Sequence, residues 1–222
     1  MIRLTVLLCA MLVASGQAHA QTVTSIPPLG ADIAASPRLV GEGAVIAKVN
    51  AALARRDQRD LDAITCFGGK PDGPFRTVEV IADGPEFLSL IIRNSSYCAG
   101  AAHPWWSQEI LTFDLETGSE TDLLPYLPAA FGTDPQEELA VLFLNTVADL
   151  PGDCVQVYTW ALRDGHLRFD LGVVKAESAL MLWPSGLAYV DRPCLDTAYV
   201  SMARLQEAGF HAKLIRALLP SR

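Results

Sequence analysis

The sequence predicts an α+β fold in which helices pack on an antiparallel sheet. Three observations carry that expectation. Runs of strand character lie between residues 76 and 113 and again beyond residue 154. Apolar residues at helical spacing flank them, around 45–53, around 139–146 and in the C-terminal tail. No regular strand–helix–strand alternation links the elements, so a parallel sheet is disfavoured.

Residues 1–20 read as a secretory signal peptide. Arg3 supplies the positive start, Leu4 to Ala14 is an apolar run, and Ala18-His19-Ala20 is a small-x-small cleavage signal. The run is shorter than the roughly 20 apolar residues that a spanning helix needs. The chain is therefore expected to be periplasmic or secreted, with no membrane insertion after cleavage. Residues 21–36, rich in Thr, Ser, Pro and Ala, read as an extended lead-in, and residues 37–222 as one α+β domain.

After Ser36-Pro37, the spacing of Val45, Ile46, Val49, Ala52 and Leu53 predicts a helix. Arg55, Arg56 and Arg59 fall near its end, where cations suit the helix dipole. Gly68, Gly69, Pro71, Gly73 and Pro74 predict a loop. "RTVEVIA" and "EFLSLIIR" read as two strands turning at Asp83-Gly84-Pro85, and "QEILTFDLE" as a half-buried strand ending at a Glu116-Thr117-Gly118 turn. "DLLPYL" closes this half. A second helix is expected from Asp134-Pro135, with Asp134 as N-cap, Pro135 in the first turn and Glu137 completing a capping box. Leu139, Leu142, Phe143 and Thr146 share its face, and Pro151-Gly152 ends it. "CVQVYTWALRDGHLRFDLG" reads as a hairpin about Asp164-Gly165, and "ALMLWPSGLAYV" as another about Pro184-Ser185-Gly186. The tail "ARLQEAGFHAKLIRALL" is helical, broken by Gly209.

Charge and cysteine content narrow the function. The formal net charge is −8, and loss of Arg3 with the leader makes it one unit more negative. An acidic export product is poorly suited to nucleic acid or to an anionic membrane face. Cys66, Cys98, Cys154 and Cys194 remain after cleavage, which in an oxidising compartment implies two disulfides. Three pairings are open. Cys66–Cys98 with Cys154–Cys194 is the expected one, because each bridge then braces one half of the chain. No C-x-x-C pair and no helical histidine pair suggests a metal, and no cofactor is expected.

"YCAGAAHPWW", residues 97–106, is the densest cluster of site-like residues. His103 reads first as a turn residue bonded to backbone. Trp105 and Trp106, as neighbours on a strand, point to opposite faces, so one can serve as an outward anchor for a partner. Asp114, Glu116, Glu120 and Asp122 alternate along one segment and read as a solvated face. From Asn94 to Leu162 the chain has acidic residues but no Lys or Arg, a one-sided charge that would attract a basic partner.

The segment Phe87 to Leu127 resembles a bacterial extracytoplasmic domain family of unknown general function. The residues that carry the resemblance are Gly100-Ala101-Ala102-His103, then Asp114-Leu115-Glu116-Thr117-Gly118, then Leu123-Leu124. "VIAKVNAAL", with Val49-Asn50, is similar to the family's early helix, and "GLAYVDRPCLDTAYVSMARL" to its closing strands. Relatives in that family include the lysozyme-binding extracellular part of a membrane anti-sigma factor and the non-catalytic domain of a peptidoglycan deacetylase. The chain departs from both. Neither the anti-sigma factor's membrane helix nor a deacetylase domain is expected from the residues read, and Ser119 stands where Arg or Lys is usual.

These readings converge on an exported, envelope-facing binding domain. It would recognise a basic protein such as lysozyme, or a cell-wall component, through His103, Trp105, Trp106, Asp114 and Glu116. The alternative is a cell-wall hydrolase pairing His103 with Asp114 or Glu109.

Overall fold

A computed structural model of the chain describes residues 22–64 and 72–219. The expected signal peptide, Cys66, Gly68, Gly69 and Pro71 lie outside the described residues, whereas Gly73 and Pro74, expected in a loop, belong to the strand Asp72–Asp83. Among those residues, no helix is long and apolar enough to cross a membrane.

The lead-in is extended, and it is bonded into the fold. β1 (Val23–Thr24) pairs antiparallel with β2 (Arg38–Leu39), and Ile33 bridges to Arg76. α1 (Ala44–Ala63) then follows Gly43, whose φ of 133° is open to glycine at low cost. The helix buries Val49 and Leu53, with Ile46 and Ala52 packed alongside. Each fully buried aliphatic side chain of this kind contributes about 1.5–3 kcal/mol.

α1 covers a four-stranded antiparallel sheet made of β3 (Asp72–Asp83), β4 (Phe87–Tyr97), β5 (Trp105–Asp114) and β6 (Ser119–Thr121), in that order. Period-2 alternation sorts the side chains. Leu88, Leu90 and Ile92 of β4 and Leu111 and Phe113 of β5 meet α1, while Ile91 and Ile110 face the other way. Further along, the covered face turns polar on both sides at once. α1 presents Arg56, Asp57 and Asp60, and the sheet presents Arg76, Asn94 and Glu109. Arg76 is buried and bonds to Asp57, Asp60, the Ser36 hydroxyl and the Ala34 carbonyl. Arg56, expected near the helix end as a dipole partner, reaches inward to Asp60 and Glu109.

The second half supplies another antiparallel sheet, β7 (Arg168–Val174), β8 (Ala179–Ser185) and β9 (Ala198–Ser201). One face packs under α2 (Gln136–Leu144), α3 (Gly152–Arg163), α4 (Met202–Glu207) and α5 (Ala212–Ala217), burying Leu139, Phe143, Tyr158, Leu171, Leu182 and Leu214 among others. Its other face meets the first sheet through Val174 and Met181, against Ile91, Ile81 and Ile110. Gly172 permits that approach, since an added Cβ would stand 3.0 Å from Ile110 and Ile81 side-chain atoms. The layers run helix, sheet, sheet, helices. The α+β class with antiparallel sheets is as expected, with two packed sheets and the small β1–β2 pair in place of one sheet.

Three element readings are corrected. Residues 152–163 form α3, not the first arm of a hairpin. Cys154 and Tyr158 are buried four apart, a helical spacing that the β-branched and aromatic composition of "CVQVYTW" masks. The strand reading survives only as β7. The segment about Pro184-Ser185-Gly186 is not a hairpin either: β8 ends there, a 3₁₀ segment covers Tyr189–Cys194, and the partner strand is β9. Finally, α2 has Pro135, not Asp134, at its N-cap with no side-chain cap and so no capping box; it ends at Leu144, and Pro151-Gly152 begins α3 instead of closing α2.

One disulfide is described where two were expected. Cys154 and Cys194 are bridged with their Cα atoms 5.2 Å apart, pinning α3 to the segment before β9. Cys98 is disulfide-bonded, and Cys66, its expected partner, lies outside the described residues.

Candidate binding cleft

β5 and β8 each bring one tryptophan to the gap between the sheets. On β5, Trp106, Gln108 and Ile110 share the face away from α1. On β8, Met181, Trp183 and Ser185 share the face toward the first sheet. Trp106 and Trp183 consequently meet with ring centroids 6.2 Å apart, and Arg192 lays its guanidinium 4.7 Å over the Trp106 ring. The cleft they border has a volume of about 240 Å³. Its walls include Gln108, Ser185 and Leu187 with the two tryptophans and Arg192. That is below the usual range for a drug-sized ligand and suits a single ring or side chain.

Asp170 pairs with two residues of the cleft wall: it lies directly opposite Trp183 on the neighbouring strand and 3.5 Å from the Ser185 hydroxyl. Burial, helped by the nearby Glu109 charge and opposed by the Ser185 hydrogen bond, pushes its carboxyl up to about 6. Glu109 moves the other way. Both outer guanidinium nitrogens of Arg56 bond its carboxylate and hold it below the usual range, against the pull of burial.

The remaining expected site residues divide into two groups. His103 and Trp105 lie with Trp106 at the start of β5. His103 is exposed, with Nδ1 3.2 Å from the Pro104 carbonyl oxygen, and Trp105 is 48% exposed. Asp114 and Glu116 lie at the far end of the strand, about 30 Å away for a ten-residue strand. Asp114 is not on a solvated face. It is buried, with Oδ2 2.6 Å from Lys213 Nζ and bonded by the Tyr126 hydroxyl, and Oδ1 accepting from the Glu116 and Thr117 amides. Glu116 also bonds Lys213, at 3.0 Å.

Two consequences follow. The side-chain hydrogen bonds described for Asp114 and Glu109 run to Lys213, Tyr126 and Arg56, not to His103. And the acidic stretch is partly neutralised, because Glu109, Asp114 and Glu116 are each paired with a cation from outside it. Among the described residues, no group of His, Cys, Asp and Glu is placed to hold a metal ion. Trp183, Arg192 and Asp170 escaped the sequence reading. The signal available was alternation along "ALMLWPS", which puts Trp183 opposite the core-facing Leu182.

No family model matches the chain, and no curated protein matches it. Solved structures similar to it include a DUF3298 family protein from Pseudomonas aeruginosa PAO1, with 16% identity and a TM-score of 0.41, covering 77% of this chain and 72% of that one. A member of the same family from Bacteroides fragilis NCTC 9343 has 14% identity and a TM-score of 0.45, covering 78% of this chain and 68% of that one. Likeness at these values speaks to neither ligand nor activity.

Proposed function

We propose that the chain is an exported, envelope-facing binding domain that holds its partner in the cleft between Trp106 and Trp183. The observation that supports this reading is the Trp106–Trp183 pair itself. Two tryptophans from different sheets border an open cleft beside Arg192, the residue types that concentrate binding energy at interfaces. The function needs no cofactor. Hydrolysis by His103 with Asp114 or Glu109 is less well supported, since both carboxylates are engaged by cations.

The test is retention of the purified chain by envelope fractions. Trp106→Ala and Trp183→Ala should each weaken retention by about tenfold or more, the effect of truncating an aromatic anchor. Trp160→Ala, on the exposed face of α3, should bind like wild type. Undiminished retention of both cleft variants would sink the reading. A lysozyme arm at low and high salt distinguishes a basic protein partner, whose association should slow as salt rises.

A further inference from the structure

β5 is an outer strand over most of its length. β6 pairs with it only at Thr112, Phe113 and Asp114. From Trp105 to Leu111 it has β4 on one side and, among the described residues, no strand on the other. A strand in that position turns one row of main-chain N–H and C=O groups outward, a template for another chain.

The other long edges are guarded. β3 carries two register shifts, bonds Asp32 and Ala34 of the lead-in through Arg76, and gives its Ile81 carbonyl to the Lys175 amide at 3.0 Å. On β7, the Phe169 amide donates to Gln136 Oε1 at 2.9 Å. β9 is only four residues long. Among the described residues, the open part of β5 has none of these devices. "WWSQEIL" contains no Lys, Arg or Pro, its register with β4 is unbroken, and its one charge, Glu109, is bonded to Arg56. The cleft opens at this same edge, with Trp106, Ser107 and Gln108 in its wall.

We propose that the open edge of β5, Trp105 to Leu111, takes an extended segment of a partner protein as an added strand, with one large apolar side chain seated between Trp106 and Trp183. This rests on the cleft being the contact site and names the class of partner. Strand addition draws affinity from main-chain hydrogen bonds and specificity from a pocket for alternate side chains, and both stand side by side here. Seven edge residues span about 23 Å, room for a short peptide. A saccharide would use the cleft and leave the main-chain edge to water. The net charge of −8 favours a segment of basic composition.

The experiment selects displayed random peptides on the full-length mature chain. One selected sequence is then measured as a synthetic peptide, beside two copies N-methylated at alternate residues, one in each phase. Peptidoglycan glycan strands freed of stem peptides are the saccharide probe. The expected result has three parts: the peptide binds, alternate N-methylation in one of the two phases weakens it at least tenfold, and amide hydrogen exchange slows across Trp105–Leu111. No selection above background, equal binding of both methylated phases, or slowed exchange elsewhere overturns the proposal. So does a dimer of this chain whose own β5 edges are protected. Stem-free glycan that binds through Trp183 with no change in edge exchange overturns strand addition and leaves the cleft reading standing. Envelope retention unaffected by both Trp106→Ala and Trp183→Ala removes the cleft reading itself.

Discussion

Lys213 Nζ lies 2.6 Å from Asp114 Oδ2, joining residues 99 apart and fastening α5 to the end of β5. Burial alone would raise the Asp114 carboxyl, but the hydrogen bonds from Lys213, Tyr126 and two backbone amides outweigh it and hold it below the usual carboxylate range. A carboxylate depressed by folding contributes stability above its unfolded value, about 3.9, and loses that contribution as pH falls through the folded value. Stability should therefore drop steeply in acid below about pH 4. Asp114→Asn should lower stability at pH 7 by about 3 kcal/mol, because Lys213 loses a buried partner, and should flatten the acid limb. Urea denaturation between pH 7 and pH 3 reads both effects; an unchanged acid limb would remove Asp114 as its source.

Asp170 predicts the opposite slope. Its carboxyl is raised to about 6 by burial and by Glu109, so the folded state holds the proton more tightly than the unfolded chain. Stability from this group is then greatest in mild acid and is lost as pH rises from about 4 through 6. Asp170→Asn should remove that step and raise the melting temperature at pH 7.5, by an effect of order 2 kcal/mol. Trp183 is the cross-strand neighbour of Asp170, so its fluorescence should also titrate near pH 6 in the wild type. A flat fluorescence profile between pH 5 and pH 7 would contradict this.

Gly186 sets one wall of the cleft. Its φ is +82°, and an added Cβ would stand 2.0 Å from the backbone oxygen of His166. A left-handed conformation costs a side-chain-bearing residue about 1–2 kcal/mol, and here backbone must move as well. Gly186→Ala should destabilise by about 2 kcal/mol or more and shift the tryptophan emission. A wild-type denaturation midpoint for this variant would show that the turn is freer than its geometry indicates.

The Cys154–Cys194 bridge closes a loop of separation 40 between α3 and the segment before β9. Cross-linking over that span restrains the unfolded chain by roughly 4 kcal/mol. Replacing both cysteines by alanine should cost about that much in chemical denaturation, less any relaxation of the native state. Loss of less than 1 kcal/mol, on the order of a surface substitution, would place the stability of this half in packing alone.

Local pattern determined much of this protein. The spacing of Val49 and Leu53 announces α1, strand-forming runs about Asp83-Gly84-Pro85 announce β3 and β4, alternation announces β5, Gly209 separates α4 from α5, and Asp134-Pro135 marks the start of α2 within a residue. These signals are legible because each element buries one face and its period follows from backbone geometry. Composition misled where it opposed period: "CVQVYTW" has strand-forming residues on a helix, because tertiary burial of Cys154 and Tyr158 outweighs propensity. What only the tertiary structure decided is which distant residues meet. Asp114 and Glu109 look like free carboxylates in the sequence until Lys213 and Arg56 reach them, and Trp106 is an isolated aromatic until the second sheet delivers Trp183 and Arg192. Partners so far apart in the chain leave no periodic trace in sequence, since their meeting depends on how whole sheets pack.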